Sequence, residues 1–274
     1  MDLPLLSALF VAFALAIYIP LDGFDLGVGA LLLTQPDERL RDRMVDSITP
    51  TWDGNETWLI MAGVTLFGNF PIAYGILLPA FYLPLIIMLL ALGLRGVSFE
   101  FRYQVKRGRK IWDIAFGLGS IVAALMQGLI VGRLIQGVTI NADCFSGSIF
   151  DVFRPFALLV GVATLSGYLV LGAGWLHLKA TKPLHIFAEQ ILRAATPAFF
   201  GLAAVVCIAA AFVQPGVMAA WSAHYAPLTF IAVLFLVTAA AARTAGPSLW
   251  RSPCSPSESR ASASPSSPTS CRSA

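Results

Sequence analysis

Two aspartates lie inside the first hydrophobic segment of the chain, and they limit what that segment can do. The segment runs from Leu3 to Leu33 and contains the motif L-D-G-F-D-L-G-V-G, in which Asp22 and Asp25 are three residues apart. Residues with this spacing share one face of an α-helix. A carboxylate within hydrocarbon is costly unless it is paired, hydrated or protonated. The pair therefore indicates a proton or ion route inside a membrane protein rather than a lipid-facing surface.

The composition assigns the chain to the integral membrane proteins. It is 57% hydrophobic and 12% charged over 274 residues, whereas soluble domains carry about 25% charged residues. The net charge of +3 is too small and too dispersed to indicate a nucleic-acid surface. The four cysteines form no CxxC motif or pairing pattern, so we expect no disulfide framework and no zinc site. The first 18 residues lack a basic region and a cleavage site, which favours a retained span over a signal peptide.

Seven segments are apolar and long enough, or nearly so, to cross a membrane. A span needs about 20 mostly apolar residues, and the candidates are residues 4–33, 55–70, 72–94, 111–132, 155–178, 195–213 and 226–242. With the N-terminus outside, the inside loops and the tail hold 16 of the 18 basic residues. This distribution obeys the positive-inside rule. The sequence therefore predicts an all-α polytopic membrane protein with about seven transmembrane helices and an outside N-terminus.

The chain divides into a membrane domain, residues 1–243, and a tail, residues 244–274, of different composition. The thirty residues from Ala245 onward include eleven serines and five prolines. Such a segment cannot form a packed core or a span. One interpretation is a disordered low-complexity tail, and the other is a frameshift that replaced the true C-terminal region with out-of-frame residues.

A second polar cluster, T-W-D-G-N-E-T-W at residues 51–58, lies at the entry to the second candidate span. The predicted topology places it on the cytoplasmic side, at the level of the first two aspartates. Carboxylates converging there could deliver protons to a buried reaction, and the candidates are Asp22, Asp25, Asp53 and Glu56. Two simpler interpretations stay open. Asp53 and Glu56 also have the spacing of a helix capping box, and Asp22 and Asp25 could be solvated at the interface.

Aromatic and charged residues near the predicted inside loops have structural and binding interpretations. Trp52 and Trp58 are expected to be interfacial anchors, or alternatively to line a quinone or lipid cleft. Arg95 and Glu100 belong to L-R-G-V-S-F-E-F-R, which leaves the third candidate span toward a basic loop. This stretch is expected to bind anionic lipid. Alternatively, Arg95 and Glu100 could pair with a partner subunit or a ligand headgroup.

The sequence contains no redox centre of its own that we can identify. Its three histidines, near predicted helix ends, lack the paired intramembrane spacing of haem or metal ligands and are interpreted as interfacial: His177, His185 and His224. Walker, GxSxG and Cys/His metal motifs are absent from the sequence. The chain therefore offers proton-handling groups, and a redox function would require a partner to hold the cofactors.

Several motifs resemble subunit II of the cytochrome bd-type quinol oxidases, and the cyanide-insensitive branch is the most similar. The resemblance rests on D-G-F-D-L-G-V-G at 22–29, S-I-T-P-T-W-D-G-N-E-T-W-L at 47–59, and F-R-Y-Q after L-R-G-V-S-F-E. R-P-F at 154–156 and G-A-G-W-L-H-L-K-A-T at 172–181 add to it. The resemblance covers about residues 3–200, weakens toward 243 and is absent from the tail.

The resemblance implies a partner, cofactors and roles for particular residues. Family members pair with a haem-bearing subunit I in the bacterial cytoplasmic membrane, and that subunit oxidises quinol and holds two b-type haems and one d-type, or substituting b-type, haem. Subunit II consists of two four-helix bundles plus a further helix, which here implies bundles at about 1–135 and, incomplete, at about 150–243. By motif position, Asp25 and Asp53 match candidate proton-path aspartates, and Trp52 matches a structural quinone contact of some members.

Two functions are therefore weighed for the chain. The first is subunit II of a quinol:oxygen oxidoreductase, which supports subunit I and helps to deliver cytoplasmic protons, without pumping and without catalysis by this chain alone. The second is a secondary cation or proton transporter that uses Asp22 and Asp25. Transporters often repeat their broken helices in both halves of the chain. The Gly-rich, Asp-bearing segment has no counterpart in the fourth or fifth candidate span, which favours the first function.

Overall fold

The computed structural model of the protein describes residues 2–105, 108–141, 144–179, 182–214 and 216. Within these residues the fold is almost entirely helical. The helices are α1 (Leu3–Leu32), α2 (Glu38–Ile48), α3 (Trp52–Asn69), α4 (Pro71–Ala80), α5 (Tyr82–Gln104), α6 (Arg109–Gln136), α7 (Pro155–Lys179) and α8 (Lys182–Val213). Between α6 and α7 lie an antiparallel pair of short strands, β1 (Ile140–Asn141) and β2 (Cys144–Phe145), and a 3₁₀ turn (Asp151–Phe153).

Among the described residues, five helices are long and apolar enough to cross a membrane, namely α1, α5, α6, α7 and α8. The prediction of an all-α, multi-pass membrane protein is thereby confirmed. The second candidate span forms α3, which is not among the five because its first turns are polar. The seventh candidate, residues 226–242, and the tail, residues 244–274, lie outside the described residues.

The predicted bounds of the third span, residues 72–94, are wrong. That segment is divided at Phe81 into α4 and α5, and α5 continues to Gln104. Arg95 and Arg102, counted in an inside loop, are instead buried within α5, with 0% and 1% of their surface exposed. The helix extends past them because acidic side chains of neighbouring helices neutralise both guanidinium groups.

The predicted inside loop at residues 179–194 is also mostly helical. α8 begins at Lys182, thirteen residues earlier than the predicted start at residue 195. Its first turns are amphipathic: Leu184 and Ala188 are buried in the core, whereas Arg193 pairs with Glu189 on the exposed side at 2.6 Å. A hydropathy window averages over both faces, so it places the start of this helix too late.

Glycines of the first motif let α1 and α7 pack backbone to backbone. A Cβ atom on Gly27 would overlap the carbonyl oxygen of Tyr168, and one on Gly172 would overlap the Gly27 backbone. Small residues are the usual means of close helix approach in membranes, where dispersion contacts drive association. The aspartates of the same motif face α3 and α5. The motif therefore serves two different faces of one helix.

An apolar core closes the bundle on the side of α2. It lies beyond Asp25 along α1 and beyond Arg95 along α5. Its buried members come from six helices and are Val28, Leu31, Leu32, Met44, Val45, Ile48, Phe99, Phe116, Ala173, Leu176, Leu184 and Ala188. We call this set the inner core. These apolar side chains lie between the aspartates of α1 and the end of the bundle that carries α2.

Ion pairs attach the amphipathic helix α2 to α5 and α6. Asp113 binds Arg41 at 2.9 Å and Arg102 at 2.5 Å, and Arg102 also donates to Asp42 at 2.6 Å. Asp113 and Arg102 are buried, so both depend on the ion pairs of this network for neutralisation. This network joins the three helices at the end of the bundle opposite to the start of α1.

Asp113→Asn is expected to loosen α2 from the bundle. The change removes the carboxylate that Arg41 and Arg102 share, and we expect a cost of about 2–3 kcal/mol for a partly broken buried pair. The measurement is the rate of proteolysis or amide exchange within α2 in membranes. Arg193→Gln, which breaks an exposed i,i+4 pair, is the control and should cost about 0.3–0.5 kcal/mol. Equal rates for the two variants would contradict the expectation.

Candidate functional site

A buried polar site forms where α1, α3 and α5 meet. Nη1 of Arg95 donates to Oδ1 of Asp22 at 3.1 Å and to Oε1 of Glu56 at 2.6 Å. Nδ2 of Asn55 donates to Oδ2 of Asp25 at 2.7 Å. We call these five residues the acidic site. It contains three of the four carboxylates that the sequence predicted to converge, together with one cation and one amide.

Local sequence explains how each helix presents these side chains. Asp22 and Asp25 lie three residues apart on α1, so both point toward α3 and α5. Asn55 and Glu56 are adjacent in the first turns of α3, and their side chains reach different members of the site. Arg95 lies near the middle of α5 and supplies the only positive charge in the acidic site.

The acidic site carries more negative than positive charge. Three carboxylates, all ionised, would face one guanidinium and leave an excess of two negative charges. Asp25 and Arg95 are 0% exposed and Asp22 is 1% exposed, whereas the Glu56 side chain is 23% exposed. Excess buried charge is strongly unfavourable unless protons, water or a nearby cation compensate for it. The arrangement thus suits groups that take up and release protons, and it opens to the surface at Glu56.

Several polar atoms of the acidic site lack hydrogen-bond partners within the described part of the chain. They are Oδ2 of Asp22, Oδ1 of Asp25, and Nε and Nη2 of Arg95. Buried polar atoms in folded proteins almost always have a partner, and ordered water commonly provides it. We therefore expect water among these side chains, which would also connect the carboxylates for proton movement.

The structure does not form the capping box that the spacing of Asp53 and Glu56 allowed. α3 begins at Trp52, Thr51 is the N-cap, and no side chain caps the helix. Glu56 instead binds Arg95, because an unpaired buried guanidinium costs more than an uncapped amide. Asp53 is exposed in the first turn of α3, one turn before Glu56. It therefore lies at the mouth of the acidic site rather than inside it.

The remaining predicted site residues have different surroundings. Trp52 is half-buried and packs against Phe99, with ring centroids 5.1 Å apart. Trp58 contacts Phe13 edge-on at 6.1 Å. Glu100 is exposed on α5 and outside the acidic site. Arg95 is fully buried, so its interpretation as a lipid anchor is wrong.

Sequence reasoning missed Asn55 and the internal pairing of Arg95. A usable signal was present for the arginine. It lies in A-L-G-L-R-G-V, where an isolated charge between apolar residues requires an oppositely charged partner if the helix continues. Asn55 carried no comparable signal, because its role follows only from the position of α3 against α1.

Two of the three histidines lie together at the junction of α7 and α8. The rings of His177 and His185 are 3.9 Å apart between centroids. An iron ligated from both sides would hold two imidazole rings farther apart than this, so the pair does not fit axial haem ligation. His224 lies outside the described residues.

Comparisons with known proteins agree with this architecture. The family model described as "Cytochrome bd terminal oxidase subunit II" matches residues 3–255, which extends past residue 243, where the motifs predicted the likeness to end. "Probable cytochrome oxidase subunit 2" of Haemophilus influenzae is 39% identical over 178 residues, covering 62% of this chain and 47% of that protein. "Cytochrome bd-I ubiquinol oxidase subunit 2" of Escherichia coli (strain K12) is 36% identical over 216 residues, covering 76% and 54%.

A solved structure shares the fold. The bd oxidase from Geobacillus thermodenitrificans superposes with a TM-score of 0.54 at 16% identity, covering 77% of this chain and 54% of that chain. The chain spans about half the length of the curated relatives that it matches. Because the family model matches almost the whole sequence, the chain belongs to the cytochrome bd terminal oxidase subunit II family.

Proposed function

We propose that the chain acts as subunit II of a bd-type quinol:oxygen oxidoreductase in the aerobic respiratory chain of a bacterial cytoplasmic membrane. Its homologues indicate membership of an oxidoreductase complex. In the proposed complex, a haem-bearing subunit I oxidises quinol and reduces oxygen to water on two b-type haems and one d-type, or substituting b-type, haem. This chain supports that subunit and helps to deliver the protons that the reaction consumes.

The observation that carries the proposal is the charge imbalance of the acidic site. Its three carboxylates exceed the single guanidinium in number. Two of them, Asp22 and Asp25, are buried, and each has an oxygen without a hydrogen-bond partner among the described residues. A purely structural ion pair needs one carboxylate for each cation, whereas this site holds three. Additional carboxylates are useful where protons must be accepted on one group and passed to the next.

The proposed proton route enters at the start of α3. Asp53 is exposed, Glu56 one turn later is partly exposed, and Glu56 shares Arg95 with the buried Asp22. A proton bound from the cytoplasm at Asp53 would pass to Glu56 and then, through water, to Asp22 or Asp25. Apolar side chains of the inner core lie along the alternative path on the bundle axis, which supports lateral entry.

A structural quinone beside Trp52 forms a second part of the proposal. The Trp52 ring is half-buried, so part of it is accessible to a flat ligand. Arg95 and Glu100 are weaker candidates for the same contact. Arg95 is fully buried and paired within the chain, whereas Glu100 projects from another face of α5.

Asp25→Asn, Glu56→Gln and Asp53→Asn test the proton route in the chain expressed with its haem-bearing partner. Each change keeps the size of the side chain and removes the exchangeable proton. We expect oxygen consumption to fall about tenfold or more, since a positioned proton-transfer group contributes on the order of 10²-fold to rate, while the haem content is retained. Glu38→Gln, at an exposed position of α2, is the control. Full activity in all three variants would remove these carboxylates from the route.

The transporter alternative predicts a different result. If the proposed function is correct, deletion of this chain should remove the oxidase haem bands from the reduced-minus-oxidised spectrum of the membranes. An unchanged spectrum with altered cation uptake would support a transporter. Arg95 already lies between Asp22 and Glu56, which disfavours a bound cation at the same position.

A further inference from the structure

A hydrogen-bonded array of three side chains adjoins the acidic site on the side away from the inner core. Tyr168 of α7 donates through its hydroxyl to Oε1 of Gln127 on α6 at 2.7 Å. Nε2 of Gln127 donates to the hydroxyl oxygen of Tyr18 on α1 at 2.6 Å. All three residues are buried, with 3% to 9% of their surface exposed. The array therefore links three helices through one glutamine.

The bonds of the array all run in one direction. The amide nitrogen of Gln127 can only donate, so the Tyr18 oxygen accepts that bond and keeps its own proton for another acceptor. Tyr18 lies one helical turn before Asp22 on α1, which brings its hydroxyl within interaction range of that carboxylate. Oδ2 of Asp22 is buried and has no hydrogen-bond partner of its own among the described residues. Hydrogen bonds in such a chain strengthen one another.

The first sequence motif contributes to both ends of the array. A Cβ atom on Gly23 would lie 2.7 Å from Cε1 of Tyr168, so only glycine leaves room for this ring against α1. The neighbouring residue, Asp22, is the carboxylate that Tyr18 faces. In this dipeptide, Gly23 leaves space for the ring of Tyr168, and Asp22 is the acceptor for the hydroxyl of Tyr18.

We propose that Tyr18, Gln127 and Tyr168 are positioning residues of the acidic site, which hold the Asp22 carboxylate in place by a directed hydrogen-bond chain that ends on Oδ2. Oδ1 of Asp22 binds Arg95, which leaves Oδ2 to accept from Tyr18 in the proposed chain. This inference rests on the proposed function for its effect on proton delivery. It assigns to the α6–α7 side of the bundle a role in the geometry of a site formed by α1, α3 and α5.

Three variants that preserve side-chain size test the array in the complex with the haem-bearing partner. Tyr18→Phe removes the last hydroxyl, Tyr168→Phe removes the first, and Gln127→Glu replaces the donor amide by a group that accepts from both tyrosines. We expect Tyr18→Phe to lower oxygen consumption about tenfold or more, as for the loss of a hydrogen bond to a charged group. Tyr168→Phe should act in the same direction but less, because its hydroxyl acts through two other side chains.

Infrared spectroscopy measures the position of the Asp22 carboxyl band, which a general packing defect would not shift. The carboxyl band that Asp22→Asn removes from the redox difference spectrum should shift in Tyr18→Phe and in Gln127→Glu. Tyr103→Phe is the matched control, since Tyr103 donates to Asp46 at 2.7 Å in an exposed contact far from the array, and it should leave band and turnover unchanged. Haem content establishes that each complex has assembled.

The outcomes separate the array from the proposed function. An unshifted Asp22 band and normal turnover in an assembled Tyr18→Phe complex would overturn the positioning role. If Asp25→Asn and Glu56→Gln retain full turnover while Tyr18→Phe still shifts the band, the array positions Asp22 and the proton route is wrong. If Gln127→Glu does not assemble, the two tyrosine variants decide the question, because both keep the aromatic ring.

Discussion

Replacing Arg95 by glutamine is expected to prevent stable accumulation of the chain in the membrane. The change removes the only cation of the acidic site and leaves Asp22, Asp25 and Glu56 buried together. Breaking a buried ion pair from one side costs about 3–5 kcal/mol, because the other charge stays uncompensated. That cost is a large fraction of the stability of a typical domain. The measurement is the amount of chain in membranes and its melting temperature in detergent.

A rescue variant distinguishes charge imbalance from lost packing. Adding Asp22→Asn to Arg95→Gln removes one of the uncompensated carboxylates, so part of the lost stability should return. Arg154→Gln is the control, because the Arg154 side chain is 53% exposed and its pair with Asp151 is long, at 3.9 Å. A surface pair of this kind contributes about 1 kcal/mol or less. Normal accumulation of Arg95→Gln would show that the acidic site does not depend on the guanidinium.

Gly172→Ala is expected to separate α1 from α7. The new methyl group would overlap the Gly27 carbonyl carbon and lie 2.5 Å from the Val28 nitrogen, and both are backbone atoms that cannot rotate away. Overpacking of this kind costs about 1–3 kcal/mol and occasionally more. Because α1 also carries Asp22 and Asp25, a displaced α1 should disturb the acidic site as well. The expected result is a lower melting temperature together with lower turnover.

Gly174→Ala, two residues further along α7, provides the matched comparison. A Cβ atom built on Gly174 meets nothing within 4 Å. Alanine is about 0.5–1 kcal/mol better than glycine within a helix, so this variant should be neutral or slightly more stable. Equal effects at the two glycines would show that the α1–α7 contact is not limited by backbone overlap.

The helices that could be predicted from sequence are those whose ends coincide with the ends of an apolar segment. The candidates at 4–33, 111–132 and 155–178 correspond closely to α1, α6 and α7. The prediction of α5 was less accurate, since charged residues were assumed to end the span. Arg95 and Arg102 do not end the helix because their partners lie on α1, α2, α3 and α6. The sequence of α5 indicates that Arg95 needs an acidic partner, but it does not show which residues of other helices provide one.

The acidic site was predictable in part. The prediction was that Asp22, Asp25, Asp53 and Glu56 converge, because their positions along the predicted spans give similar depths in the membrane. The depth of a residue in the membrane does not specify which neighbouring helix its side chain faces. Asp53 and Glu56 share a helical turn and a depth, yet only Glu56 reaches Arg95, and the capping box that their spacing allowed is not formed.

By itself the sequence determined the class of protein, the family and the carboxylates worth testing, because apolar runs, motif spacing and i,i+3 relations are properties of short segments. Only the tertiary structure decided which charges neutralise one another and which are left in excess. It also decided that the glycines of the first motif face α7 while its aspartates face Arg95 and Asn55. The reason is that Coulomb and hydrogen-bond energies depend on distances between helices. Those distances are set by packing between residues that are far apart in the sequence.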